Sequence, residues 1–147
     1  MKMQNILDIC EGSQPVEQSH GDIILSEGKK AGVLFVLING KVDIVKGNHI
    51  LNTVSEPGSI FGEISMLLDV PHMATVKVLE PSKFYKISIN DPMFDSSELS
   101  MQLAMVLASR LNKITKYLVD MKDRSAESEE QFGMVCEALE KYLYQDK

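Results

Sequence analysis

The chain has 147 residues, of which 44% are hydrophobic, and this suits one domain with a buried core. Its 15 basic residues are outnumbered by 21 acidic ones, which gives a net charge of −6. An acidic chain has no long-range attraction for nucleic acid or for anionic lipid, so direct nucleic-acid binding is not expected.

The two cysteines indicate the cellular compartment. Cys10 and Cys136 lie far apart and form no CxxC pair, which predicts a reduced, cytoplasmic protein without a metal or redox cofactor. The first ten residues lack the apolar run of a signal peptide, and no stretch is long and apolar enough for a membrane span. We therefore expect no membrane contact.

The first half of the chain predicts a short helix followed by closely spaced strands. Residues 2–10 have helical apolar spacing, whereas residues 16–89 are β-rich and divided by turn signals. Asn39-Gly40 and Gly47-Asn48 each suit a hairpin turn, because both residues of such a pair tolerate positive φ. Short strands at this spacing predict a small antiparallel barrel or jelly roll.

The stretch at residues 61–76, FGEISMLLDVPHMATV, interrupts the strands with a short helix. Gly62 in its first turn leaves several backbone N–H groups directed at one point, which attracts an anion. Glu63 would repel a bare phosphate but would accept hydrogen bonds from a hydroxyl beside one. Two further strands are predicted after it, at residues 74–79 and 83–89.

Asn90-Asp91-Pro92 ends the strands and can cap a helix, and the chain from Ser97 onward is predicted helical. Apolar residues along this helix recur at spacings of three and four, which is a heptad seam and predicts a symmetric dimer. The seam comprises Ala104, Leu107, Leu111, Ile114, Leu118 and Met121. Packing of the helix on its own barrel is the alternative. Residues 126–145 predict a last amphipathic helix, whose role the pattern does not define.

These segments, in this order and spacing over about residues 5–123, resemble the cyclic-nucleotide-binding domain of the catabolite activator protein and of cAMP-dependent kinase regulatory subunits. Phe61-Gly62-Glu63, Pro71 and Ala74-Thr75 match the family's phosphate-binding cassette, and we call residues 61–76 the cassette. His72 stands where the family carries its phosphate-binding arginine. The resemblance implies a ligand such as cAMP or cGMP and pairing of two copies through the long helix.

The resemblance implies roles for individual side chains. Glu63 would bind the ribose 2′-hydroxyl, His72 the phosphate, and Thr115 the base. The implied ligand-binding residues are Phe61, Gly62, Glu63, Ile64, Ser65, His72, Met73, Ala74, Thr75 and Thr115. Structural roles remain open for several, such as an exposed helix face for Thr115 and core filling for Met73. Because histidine carries a full charge only when protonated, binding is expected to be tighter at pH 6 than at pH 8.

The sequence thus predicts an α+β fold: an antiparallel β-roll with a short N-terminal helix, a cassette helix and long C-terminal helices. Residues 1–123 form the predicted domain, and residues 124–147 form the helical extension. No catalytic motif is present, so an enzyme is not expected. The predicted function is a cyclic-nucleotide sensor that signals through its long helix to an unidentified protein partner. The alternative is a dimerisation or protein-interaction module that has lost the ligand. A ligand-binding half of a larger transcription regulator is a third possibility, because the residues after Asp123 are too few for a helix-turn-helix domain.

Overall fold

The computed structural model describes residues 5–124, together with residues 133, 134, 137, 138 and 141. The predicted tail helix at residues 126–145 therefore lies largely outside the described residues. The strands are β1 (Pro15–Gln18), β2 (Ile23–Leu25), β3 (Val33–Lys46), β4 (His49–Val54), β5 (Ile60–Phe61) and β6 (Thr75–Ser88). The helices are α1 (Ile6–Cys10), α2 (Glu63–Leu68), the 3-10 helix Pro92–Asp95, and α3 (Ser97–Arg124).

All strand pairs are antiparallel, and the two long strands β3 and β6 form the centre of the sheet. The sheet order is β1-β6-β3-β4, with β2 added on β6 and β5 on β3. Each long strand therefore pairs with different neighbouring strands along its two halves, as a sheet that rolls over itself requires. This open antiparallel roll with helices confirms the predicted α+β fold class.

Asn39-Gly40 is not a hairpin turn, so that prediction is wrong. β3 continues through it for 14 residues, and β6 is likewise one strand where two were predicted. The pairing register shifts at Asn39 and again at Lys41, opposite the Pro81-Ser82 segment of β6. Pro81 has no N–H to give to the ladder, and a Cβ at Gly40 would overlap the Ser82 side chain. The two strands therefore bend together at a bulge. The second predicted turn, Gly47-Asn48, is confirmed between β3 and β4.

The core fills the space inside the roll. Its buried cluster consists of Leu25, Phe35, Leu37, Val42, Phe61, Val76, Val78 and Phe84. The rings of Phe35 and Phe84 meet edge to face with centroids 5.8 Å apart. Leu34 and Val36, on the opposite face of β3, are also fully buried, so this half of the strand is covered on both sides. Helix α1 also contacts β3.

The chain divides into two compact units, Met1–Ala104 and Met105–Lys147, with the boundary inside α3. The first unit contains the whole sheet, the cassette and the first turns of α3, where Leu99 and Leu103 are buried. The second begins with the remaining turns of α3. Within the described part of the chain, no helix combines the length and apolar character needed to cross a membrane.

The candidate ligand-binding cassette

The entrance to the cassette is a glycine that no other residue can replace without strain. Phe61, buried in β5, is followed by Gly62 at φ +90° and ψ 3°, which caps α2. Its carbonyl accepts the first helical hydrogen bond, from the Met66 N–H at 3.1 Å. A Cβ on Gly62 would lie 2.9 Å from the Val33 carbonyl oxygen and 3.2 Å from Leu25 Cδ1. The turn therefore needs glycine for its conformation and for the close approach of β2 and β3.

Helix α2 buries two polar side chains together with Met66 and exposes its other apolar side chains. Glu63 and Ser65 are buried, with 3% and 6% of their surface exposed, whereas Ile64 is 40% exposed. The Ser65 hydroxyl donates to the Val70 carbonyl at 2.5 Å and so closes the loop that follows the helix. A buried carboxylate in the first turn of α2 is favoured by the adjacent N–H groups. The Ser65 hydroxyl thus donates within the cassette, and the ligand-binding roles of residues 62–65 stay predictions.

Helix α2 ends at Leu68 and is capped by Asp69, whose φ of 53° is the one positive value among non-glycine residues in the described part of the chain. An aspartate tolerates this left-handed conformation better than most residues do. Its carboxylate lies 3.4 Å from Lys30 Nζ, with both groups largely in solvent. The pair links the loop after the helix to the segment between β2 and β3.

His72 is buried, with 7% of its surface exposed, although it follows a loop. Its backbone N–H donates to the Lys29 carbonyl at 2.9 Å, and its own carbonyl accepts from the Gly28 N–H at 2.9 Å. The side-chain Nε2 has no hydrogen-bond partner among the described residues. Loss of water around the ring lowers the pKa of His72, so the neutral imidazole is favoured. His72 is therefore a buried, uncharged side chain with one unused hydrogen-bonding atom.

Residues 73–75 near the end of the cassette, which we call its exit, lead into β6 and are exposed or half-buried. The Met73 side chain is 67% exposed, so it does not fill the core, and Ala74 and Thr75 are half-buried. The Met73 carbonyl accepts from Lys46 Nζ at 2.9 Å, and Thr75 Oγ1 accepts from the Glu27 N–H at 3.0 Å. Sequence analysis did not predict a role for Lys46 or Glu27. The confirmed Gly47-Asn48 turn was the available signal, because it fixes where the end of β3 lies.

Thr115 belongs to the second unit, whereas the other nine predicted ligand-binding residues belong to the first. Its hydroxyl donates to the Leu111 carbonyl one turn earlier at 2.9 Å. Its predicted contact with a base stays a prediction. On the same helix, Leu111, Ile114 and Met121 are 52%, 57% and 47% exposed, and Leu107 and Leu118 are partly so.

Comparison with known proteins supports the resemblance of the cassette. Residues 15–91 match a family model described as the cyclic nucleotide-binding domain, which includes all the cassette. The "CRP-like cAMP-activated global transcriptional regulator" of Mycobacterium tuberculosis is 30% identical over 115 residues, covering 74% of this chain and 51% of that protein. The chain thus spans about half the length of these curated relatives.

Solved structures share the fold as well. The Thermus thermophilus catabolite activator protein superimposes with a TM-score of 0.66 at 21% identity, over 80% of this chain and 59% of that one. A protein of a cyclic-GMP-dependent pathway that regulates bacterial phytopathogenesis superimposes with a TM-score of 0.63 at 19% identity, over 76% and 95%. At this identity the structures support the fold alone.

Proposed function

The chain belongs to the cyclic nucleotide-binding domain family, and from that premise we propose that it senses a cyclic nucleotide in its cassette and signals through α3. One observation carries the proposal. The family match runs through the cassette, where Gly62 opens a helix whose first side chain, Glu63, is a buried carboxylate. An ionised carboxylate accepts several hydrogen bonds through its two oxygens, and a ribose hydroxyl is a donor that suits it.

The cassette residues then have distinct roles. The backbone around Gly62 and Ile64 donates to the cyclic phosphate, and Glu63 accepts from the 2′-hydroxyl. His72 supplies its unused Nε2 to the phosphate in place of a charged guanidinium. Because the ring is buried and its pKa is lowered, the phosphate has to offset the cost of protonation. Affinity is therefore modest, and it is higher at pH 6 than at pH 8.

The signal travels along α3. Its apolar seam from Ala104 to Met121 lies largely in solvent in this single chain, as a face that pairs with a second copy requires. Ligand-dependent movement needs two helix positions with different ligand affinity, and the dimer provides a second surface that favours one of them. A protein partner would respond to that change. The proposed activity is regulatory rather than catalytic.

Calorimetric titration of the full chain with cAMP and cGMP, at pH 6 and pH 8, tests the proposal. We expect saturable binding of one of them at micromolar to millimolar concentration, tighter at pH 6. Glu63→Gln should weaken it by about tenfold or more, since a charged hydrogen bond is lost. Glu98→Gln is the matched control, because Glu98 also lies in the first turn of a helix but is exposed. No heat and no thermal stabilisation at millimolar nucleotide would refute the sensor.

The competing function is a dimerisation or protein-interaction module without nucleotide. The buried neutral His72 is the observation in its favour, because the cassette has a weak donor where the family has a permanent cation. In that case α3 still pairs, and nucleotide changes neither stability nor association. Sedimentation with and without cAMP separates the two functions.

A further inference from the structure

The cassette's exit lies just beyond the end of the β3–β6 ladder. The last β3–β6 pair is Val45 with Thr75, and the next residue, Lys46, ends β3 and pairs with His49 of β4. Backbone pairing with β3 therefore does not fix Met73. What reaches it is the Lys46 side chain, whose ammonium donates to the Met73 carbonyl at 2.9 Å. Through this contact, a side chain of β3 binds the cassette at the point where backbone pairing has ended.

Glu27 holds Lys46 in that position. Its carboxylate accepts from the Gly47 N–H at 3.0 Å through one oxygen and lies 3.4 Å from Lys46 Nζ through the other. The Gly47 N–H, followed by the hydrogen bond and charge of Lys46, lowers the pKa of Glu27. The carboxylate therefore stays ionised and keeps the ammonium beside the Met73 carbonyl.

The backbone around Glu27 binds the residues on either side of Met73. The Glu27 N–H donates to Thr75 Oγ1 at 3.0 Å, and Gly28 and Lys29 exchange two 2.9 Å bonds with His72. Three of the four residues 72–75 are thus held by groups outside the cassette. All of those groups come from two short segments, residues 27–29 and 46.

We propose that Glu27 and Lys46 are positioning residues of the cassette, which set its exit for the ligand without touching the ligand themselves. The proposal rests on the proposed function. A purely structural role fits poorly, because the Met73 side chain that these contacts locate is in solvent and contributes no core packing. An exposed ion pair alone contributes little, so the effect depends on the bond to the Met73 carbonyl.

The first test measures affinity. In the full chain, Lys46→Met keeps most of the side-chain length but removes the donor, and we expect about tenfold weaker binding of whichever of cAMP and cGMP binds. Lys46→Arg, which restores a charged donor, should recover most of that loss. Lys83→Met is the matched control. It removes another Lys–Glu pair, with Glu17 at 3.5 Å, whose two residues are already direct ladder partners.

The second test needs no ligand. Four amide groups report on the network, those of Glu27, Gly28, Gly47 and His72, and their hydrogen exchange should speed up in Lys46→Met but not in Lys83→Met. Faster exchange with weaker binding supports the proposal. Faster exchange in a chain whose wild type binds neither nucleotide supports the positioning role and refutes the proposed function. Unchanged exchange, or faster exchange with unchanged affinity, overturns the proposal.

Discussion

Replacing Gly62 by alanine should destabilise the fold for two separable reasons. At φ +90° an alanine adopts a conformation that costs about 1–2 kcal/mol, less about 0.4–1 kcal/mol gained by restricting the unfolded chain. Its Cβ would also lie 2.9 Å from the Val33 carbonyl oxygen, which is part of β3. Moving a packed strand to relieve such a contact costs about 1–3 kcal/mol. The expected total is about 2–4 kcal/mol, a large share of a typical domain's stability.

Gly21→Ala is the control, because Gly21 has the same φ of +90° but a Cβ added there would have no other atom within 4 Å. Its substitution should cost about 1 kcal/mol, the conformational part alone. Urea unfolding, followed by far-ultraviolet circular dichroism since the chain has no tryptophan, gives both free energies of unfolding. If the two variants lose equal stability, the close approach at Gly62 has no energetic effect and the reasoning is refuted.

Three further predictions concern a histidine, a thiol and the long helix. Burial lowers the pKa of His72 in the folded state, so as the pH falls the unfolded chain binds a proton at a higher pH than the folded chain does. The contribution of neutral His72 to stability is therefore full above about pH 6.5 and is lost as the pH drops toward the lower folded-state pKa. Urea unfolding at pH 7.5 and 5.5 should show a smaller loss in His72→Gln than in wild type, and equal losses would contradict this. Burial, and then the charge of Asp91, raise the pKa of Cys10 to about 11. In a Cys136→Ser chain at pH 8, a thiol reagent should therefore react with Cys10 about a hundredfold more slowly in the folded protein than in the protein unfolded by urea. Equal rates would show that Cys10 is accessible in the folded protein. Leu111→Lys should convert a dimer to a monomer in sedimentation equilibrium while Ser109→Lys, off the seam, should not; a dimer that persists in Leu111→Lys would exclude the seam.

The elements whose signals are local were predictable from the sequence. Gly47-Asn48 makes the turn it predicts, and Asp91 accepts from the Met93 N–H at 2.9 Å at the start of the 3-10 helix. Asn39-Gly40 has equally good turn chemistry but forms a bulge in the β3–β6 ladder, where the register shifts opposite Pro81-Ser82. Tertiary pairing overrode the local preference there.

The position of the cassette could be predicted from the sequence, but the burial and contacts of its residues could not. Phe61-Gly62-Glu63 identifies where the helix begins, and nothing local indicates that His72 is buried. The contacts of Glu27 and Lys46 depend on the β3–β6 register, which places a hairpin turn beside the cassette's exit. Contacts between segments so distant in sequence have no signature in either segment alone.

The long ladder between β3 and β6 also has a consequence for how the molecule folds. It pairs Val33 with Ser88 at one end and Val45 with Thr75 at the other, so all but the last two residues of the cassette lie within the loop of one very long hairpin. Closing that loop costs entropy before any of its contacts form, which places the first unit among slow, millisecond-to-second folders. The cassette's exit takes its native path only when the Val45–Thr75 end has closed. During refolding, the capacity to bind a nucleotide should therefore appear only after that end of the ladder has formed.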